Sequence, residues 1–272
     1  MVEYSVLMSV YNKEKPEYLR AAIDSIRNQT VPTNDFVLVC DGPLNNSLEA
    51  VIDQCVKTAP GLFNVYRLPQ NVGLAKALNH GILQCKNELI ARMDSDDISA
   101  PDRMEKQLQA FQKTGADIVG SNVIEFVGEV SNTGGVRQVP ETQEEILAFV
   151  KSRTPFNHPS VMYKKKVVME AGLYDDYRYF EDYHLWAVML KKGAKGYNLQ
   201  ENLVYMRGGD AMYKRRGGVA YIGSIFRFQN SMRKMGYIGF CGFLMNGISR
   251  SLVSLIPTGL RKFLYQKVLR KK

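Results

Sequence analysis

The stretch "ELIARMDSDDISAPDR", residues 88–103, decides how the chain reads. An apolar run, Leu89 to Met93, ends in three carboxylates within four positions: Asp94, Asp96 and Asp97. A short apolar segment bounded by turn residues reads as a buried strand, and open α/β sheets collect ligands outside the carboxyl ends of their strands. Side chains at i and i+2 of an extended segment share a side, so Asp94 and Asp96 are expected to converge while Asp97 faces away. Two carboxylates leave a hard cation short of ligands; Mg²⁺ or Mn²⁺ fills such gaps with water and the oxygens of a bound phosphate ester, here most naturally a nucleoside diphosphate. The same acids also suit a plain turn and helix cap, the favoured reading of Asp97, and spacing alone leaves the pair open between the two.

Working outward, residues 1–125 alternate strand and helix patterns, as parallel βαβ units do. Strands are expected at 4–10, 36–40, 63–68 and 88–93, and helices at 16–29, about 46–58, 73–85, and from Ser99 and Pro101 through Phe111. Three strands run into polar residues: Tyr11-Asn12, Asp41, and Asp94-Ser95-Asp96. Further helices are expected near 141–152 and at 181–193, "EDYHLWAVMLKKG". Residues 218–272 read as two or three helices; three glycines, Asn246 and Arg250 interrupt the nearly uncharged 237–256 segment and argue against a membrane span.

At 272 residues and 45% hydrophobic content the chain is long enough for a large core. Its opening lacks the charged and apolar regions of a secretion signal, and Cys40, Cys55, Cys85 and Cys241 show no CxxC spacing, so a cytoplasmic protein with reduced thiols is expected. The net charge of +9 is unevenly placed. Residues 211–272 hold 13 of the 36 Lys and Arg and no acid, which leaves 23 cations against all 27 acids in the first 210 residues.

Six ordered segments then carry a resemblance: "SVYNKE" (9–14), "CDGP" (40–43), "NVGLAKALNHGI" (71–82), "ARMDSDDISAPDRMEKQ" (91–107), "NHPSVMYKK" (157–165) and "EDYHLWAVML" (181–190). Together the chain resembles a family 2 glycosyltransferase of the GT-A fold, over roughly residues 4–207. Within that family it is most similar to bacterial enzymes that build capsule, exopolysaccharide or O-antigen units, and "YKRRGG" (213–218) resembles a segment of that subgroup. The resemblance implies a Rossmann-like mixed α/β sheet over 1–217 and a basic helical tail over 218–272. It implies an inverting transfer of a hexose from a nucleotide sugar, UDP-linked by expectation, to a lipid-linked saccharide.

By the same resemblance, Asp94-Ser95-Asp96 is the DxD motif, with Asp96 the direct ligand of Mn²⁺ or Mg²⁺ and Asp94 reaching the ribose, or the metal through water. Asp41 recognises uracil, with Tyr11 and Glu14 in the same pocket. Lys76 and Arg92 assist the donor's phosphates or sugar, His158 lies near the diphosphate, and Arg207, Arg215 and Arg216 clamp a phosphate. A poor hydroxyl nucleophile needs a positioned base. Glu181 and Asp182 are candidates, and the resemblance selects Asp182, although a helix N-terminus favours the ionised carboxylate and so weakens it as a base. Trp186 suits an acceptor-stacking platform or the core.

The acid-free tail, with aromatic residues among its cations, fits attachment to an anionic membrane surface at the cytoplasmic leaflet. No nucleic-acid motif is present, and the aromatics lie in apolar runs, which sets nucleic-acid binding aside. A nucleotidyltransferase would need a Gly-rich basic loop after the first strand, and "SVYNKEKPEY" has no glycine there. A non-catalytic binding protein would not need Asp94, Asp96 and Asp182 intact.

Overall fold

The computed structural model describes residues 2–208, 218–257 and 259. Its amino-terminal part is built from β1 (Tyr4–Val10), α1 (Pro16–Arg27), β2 (Asp35–Cys40), α2 (Asn46–Thr58), β3 (Phe63–Arg67), α3 (Leu74–Gln84) and β4 (Leu89–Asp94). β5 (Ile98–Ser99), α4 (Arg103–Thr114), β6 (Ile118–Phe126), β7 (Thr133–Arg137), α5 (Gln143–Phe149), β8 (Met162–Lys164), α6 (Lys165–Ala171), α7 (Glu181–Lys191) and β9 (Gly196–Arg207) follow. Two more helices, α8 (Val219–Lys234) and α9 (Phe240–Leu255), close the described chain.

The sheet order is β3-β2-β1-β4-β8-β6-β9-β5, with β7 beside β6. β1 to β4 are mutually parallel where they pair, and β8 then runs antiparallel to β4 and β6. The strands read as continuous apolar runs because both faces are covered. Val6, Met8 and Val10 of β1 pack with α1, α2 and α4, and Leu7 packs with α3 and α7 on the other face. The register sets Val10 beside Cys40 and Ser9 beside Asp94, so the polar residues after β1, β2 and β4 emerge together at one edge.

One expectation needs correction. The helix expected from Ser99 starts at Arg103, because Ile98 and Ser99 pair antiparallel with Tyr205 and Val204 of β9. Beyond the boundary expected between 217 and 218, α8 packs on α7. Tyr221, Ile225, Phe228 and Met232 of α8 are buried in the same cluster as Tyr183, Leu185 and Trp186 of α7. Apolar side chains at this i, i+4, i+7, i+11 spacing form one helix face, and here that face is core.

Candidate active site

The acid turn after β4 is built by neighbours distant in sequence. Arg92, 1% exposed, lies two residues before Asp94 on β4 and forks onto it: Nη1 donates to Oδ2 at 2.6 Å and Nη2 donates to Oδ1. Arg92 therefore orients an acid of the turn. β4 ends at Asp94, and Ser95 and Asp96 form a turn, so the i, i+2 rule for extended chain does not govern the pair. Ser95 Oγ donates to Glu14 Oε2 at 2.7 Å, which draws Glu14 from the β1 loop to the turn. Asp97 is buried, accepts from the Arg207 amide at 2.7 Å and leaves its second oxygen without a partner.

Arg207 is held on several sides. Its guanidinium lies 3.7 Å from the Tyr18 ring centroid and 4.4 Å from that of Phe126, while Nε donates to the Asp96 carbonyl at 3.0 Å and Nη1 to the Gly128 carbonyl at 2.8 Å. The expected phosphate clamp thus braces the acid turn. Arg215 and Arg216 lie outside the described residues.

Burial, then the charges of Asp94 and Glu14, push the Asp96 carboxyl up to about 7. Burial, then Asp94 and Asp96, raise Asp97 well above the carboxylate range. Among the described residues no group of three or more His, Cys, Asp or Glu forms a metal cage. Asp94 and Asp96 nevertheless supply hard oxygen donors on one turn, a pair that fits Mg²⁺ or Mn²⁺ completing its shell with phosphate and water.

Asp41 caps the entry to α3. Oδ1 accepts from the Val72 amide at 2.7 Å, and Oδ2 from the Gly73 amide and Asn71 Nδ2 at 3.1 and 3.0 Å. The approach is close: a β-carbon on Gly42, whose φ is +88°, would stand 2.6 Å from the Asn71 nitrogen. Tyr11 is exposed beside this turn, and Lys76 is exposed on the first turn of α3.

The α7 carboxylates face α3. Glu181 and Asp182 open α7, and with His158, Tyr174, Leu74, Ala75 and Leu78 they line one narrow cleft. The segment leading there is strained, with Leu173 and Tyr179 at φ +66° and +74°. Such conformations in non-glycine residues cost of order 1–3 kcal/mol each and persist where packing overdetermines them. Burial raises the Glu181 carboxyl. His158 Nε2 lies 2.9 Å from the Tyr174 hydroxyl, and burial, then Arg92, holds the imidazole well below its ordinary range and so neutral.

Tyr174, absent from the expected set, is buried beside His158 and lines the same cleft as Glu181 and Asp182. Its one sequence signal is the crowding of Tyr and Asp in "LYDDYRYFED" (173–182). Trp186 is fully buried, with Phe156, His158, Tyr163 and Tyr174 around it, so of its two readings the core is correct.

The family profile described as "Glycosyl transferase family 2" matches residues 5–178. The chain belongs to glycosyltransferase family 2. Among family members, an Escherichia coli UDP-Gal:alpha-D-GlcNAc-diphosphoundecaprenol beta-1,3-galactosyltransferase is 38% identical over 272 residues, covering 99% of this chain and 97% of that one. The Erwinia amylovora amylovoran biosynthesis glycosyltransferase AmsE is 36% identical, covering 97% and 98%. Among solved structures, Staphylococcus aureus TarS 1–349 in complex with UDP-GlcNAc superposes with a TM-score of 0.68 at 17% identity, over 92% of this chain and 74% of that one. The Pyrobaculum calidifontis mannosyltransferase PcManGT, in complex with GDP-Man and Mn²⁺, gives 0.63 at 14% identity, over 91% and 73%. These likenesses identify the GT-A fold. This family 2 glycosyltransferase thus has its acid turn and α7 carboxylates on a known nucleotide-sugar scaffold.

Proposed function

We propose that this glycosyltransferase moves a hexose, with inversion, from a UDP-linked donor to a saccharide carried on a lipid diphosphate in bacterial surface polysaccharide assembly. The E. coli relative, named for a UDP-Gal donor and a diphosphoundecaprenol-linked GlcNAc acceptor, supports both substrate classes. The observation that carries the reading is that Asp94 ends β4 at the carboxyl edge of the parallel strands, while Asp182 lines a narrow cleft with His158, Tyr174 and the start of α3.

Tyr11 and Asp41 frame the nucleoside. Asp96, with Asp94, would hold Mn²⁺ or Mg²⁺, which when bound stabilises the charge of the departing diphosphate. Asp182 takes the proton of the acceptor hydroxyl as its oxygen attacks the anomeric carbon opposite the leaving group. The new C–O bond forms, the bond to the diphosphate breaks with its electron pair on the phosphate oxygen, and the proton stays on Asp182. A single displacement inverts the centre.

Asp182→Asn keeps shape and removes basicity. Transfer from UDP-galactose to a GlcNAc-diphospho-lipid is expected to fall at least about 10²-fold, with donor affinity retained. Undiminished turnover in this variant would remove Asp182 from the chemistry.

A further inference from the structure

Helix α9 is packed on one side. Phe226 lies so near Gly247 that a β-carbon there would stand 2.5 Å from its ring, Phe243 meets Phe226 edge-on, and Asn246 donates to Gln229 at 3.2 Å. The opposite side carries Phe240, Leu244, Met245, Ile248, Leu252 and Leu255, each between 38% and 72% exposed. At 3.6 residues per turn these six fall within an arc of about 140°. Single exposed apolar side chains are ordinary, whereas a continuous stripe marks a contact surface. Arg250, the helix's one charged residue, lies off the stripe and donates to the Ser152 carbonyl.

The charge pattern selects the occupant. Residues 211–272 contain 13 Lys and Arg and no Asp or Glu, and Arg227, Arg233 and Lys234 of neighbouring α8 are exposed. A second copy of this surface would set cations against cations. An anionic bilayer instead offers hydrocarbon beneath a negative headgroup layer, which matches an uncharged apolar stripe on a segment whose sequence carries cations and no acid. At 16 residues α9 extends about 24 Å, short of the roughly 30 Å hydrocarbon core, and no described helix is long and apolar enough to cross a membrane.

We propose, on the reading above that the acceptor is carried by a lipid, that α9 lies in the plane of an anionic membrane surface, with these six side chains at the acyl boundary. α8 is not part of that contact face: its apolar side is committed to the core under α7. Attachment and catalysis are therefore served by successive helices of the segment that the sequence presents as one tail.

The test uses the full chain and vesicles of equimolar phosphatidylethanolamine and phosphatidylglycerol. The wild type is expected to sediment with them. The triple variant Leu244→Gln/Ile248→Gln/Leu252→Gln is expected to partition at least about a hundredfold more weakly. Its melting temperature, and its transfer rate with a short-chain water-soluble acceptor, should match the wild type. Three results would overturn the proposal: no vesicle binding by the wild type, equal binding by the variant, or a wild-type dimer that the variant dissolves. If no acceptor is glycosylated yet vesicle binding and its loss in the variant persist, the functional reading fails and the membrane face stands.

Discussion

Ending the chain at residue 217 is expected to destroy the fold rather than release a soluble catalytic domain. The cut removes Tyr221, Ile225, Phe228 and Met232, all buried against the α7 layer. Burying each such side chain stabilises by about 1.5–3 kcal/mol, so the four together contribute about 6–12 kcal/mol, an upper range because unfolded chains already bury some surface. Whole domains are stable by about 5–15 kcal/mol. Two specific contacts go as well: the Phe180–Phe228 stack, with centroids 4.7 Å apart at 5°, and the His184 Nε2–Ser231 Oγ hydrogen bond at 3.0 Å. Phe180 immediately precedes Glu181 and Asp182, so what remains would also lose the support of its base. A chain ending at Gly239 keeps α8 and the Tyr237 hydroxyl bond to the Ala187 carbonyl at 2.8 Å. Urea titrations followed by circular dichroism should show a cooperative transition for the 239-residue chain and none for the 217-residue chain. A 217-residue chain that unfolds cooperatively near the full-length midpoint would refute the reasoning.

Two further outcomes follow from the carboxyl and imidazole environments. Asp96→Asn removes a carboxyl that the native state holds up to about 7, so at pH 8 the metal-free variant should melt higher than the metal-free wild type, by about 2–4 °C per kcal/mol relieved. It should gain no stability from added Mn²⁺, whereas the wild type does; equal Mn²⁺ stabilisation of both by thermal shift would remove Asp96 from the metal site. Buried His158 resists protonation while the unfolded chain accepts a proton near 6.5, so the unfolded state binds more protons and stability falls as pH drops below 6.5. His158→Gln should remove this contribution in urea titrations across the acid range, measured as the difference in slope from the wild type, since His184 adds a share of the same sign and the raised carboxyls of Asp96, Asp97 and Glu181 one of opposite sign in both proteins. An unchanged slope would contradict the neutral buried imidazole.

The parallel half was legible because its signals are local. β1, β2 and β4 are apolar on both faces, and α1 and α3 present apolar residues at helical spacing, so periodicity alone located them within a residue or two. What was illegible depends on partners far along the chain. The pairing of Ile98 and Ser99 with β9, 105 or more residues later, is what delays α4, and no pattern in 98–103 announces it. The enclosure of Arg207 had no local signal because Tyr18 and Phe126, which surround it, lie 189 and 81 positions away. The packing of α8 was illegible because cations dominate the composition of the tail, whereas Phe228 meets Phe180 and Tyr183, more than 40 positions earlier.

The two ends of the cleft are fastened by different materials. Asp41 and Asp97 are gripped by the amides of Val72, Gly73 and Arg207, groups that every residue except proline provides. The segment before Asp182 is steadied instead by side-chain partners: the Tyr174–His158 hydrogen bond, the Asn79 amide on the Tyr174 carbonyl and the ring of Phe228. Side-chain drift can therefore reshape the segment before Asp182 while the amide-held turns keep their form, so one scaffold has a physical route to change in one place and constancy in another.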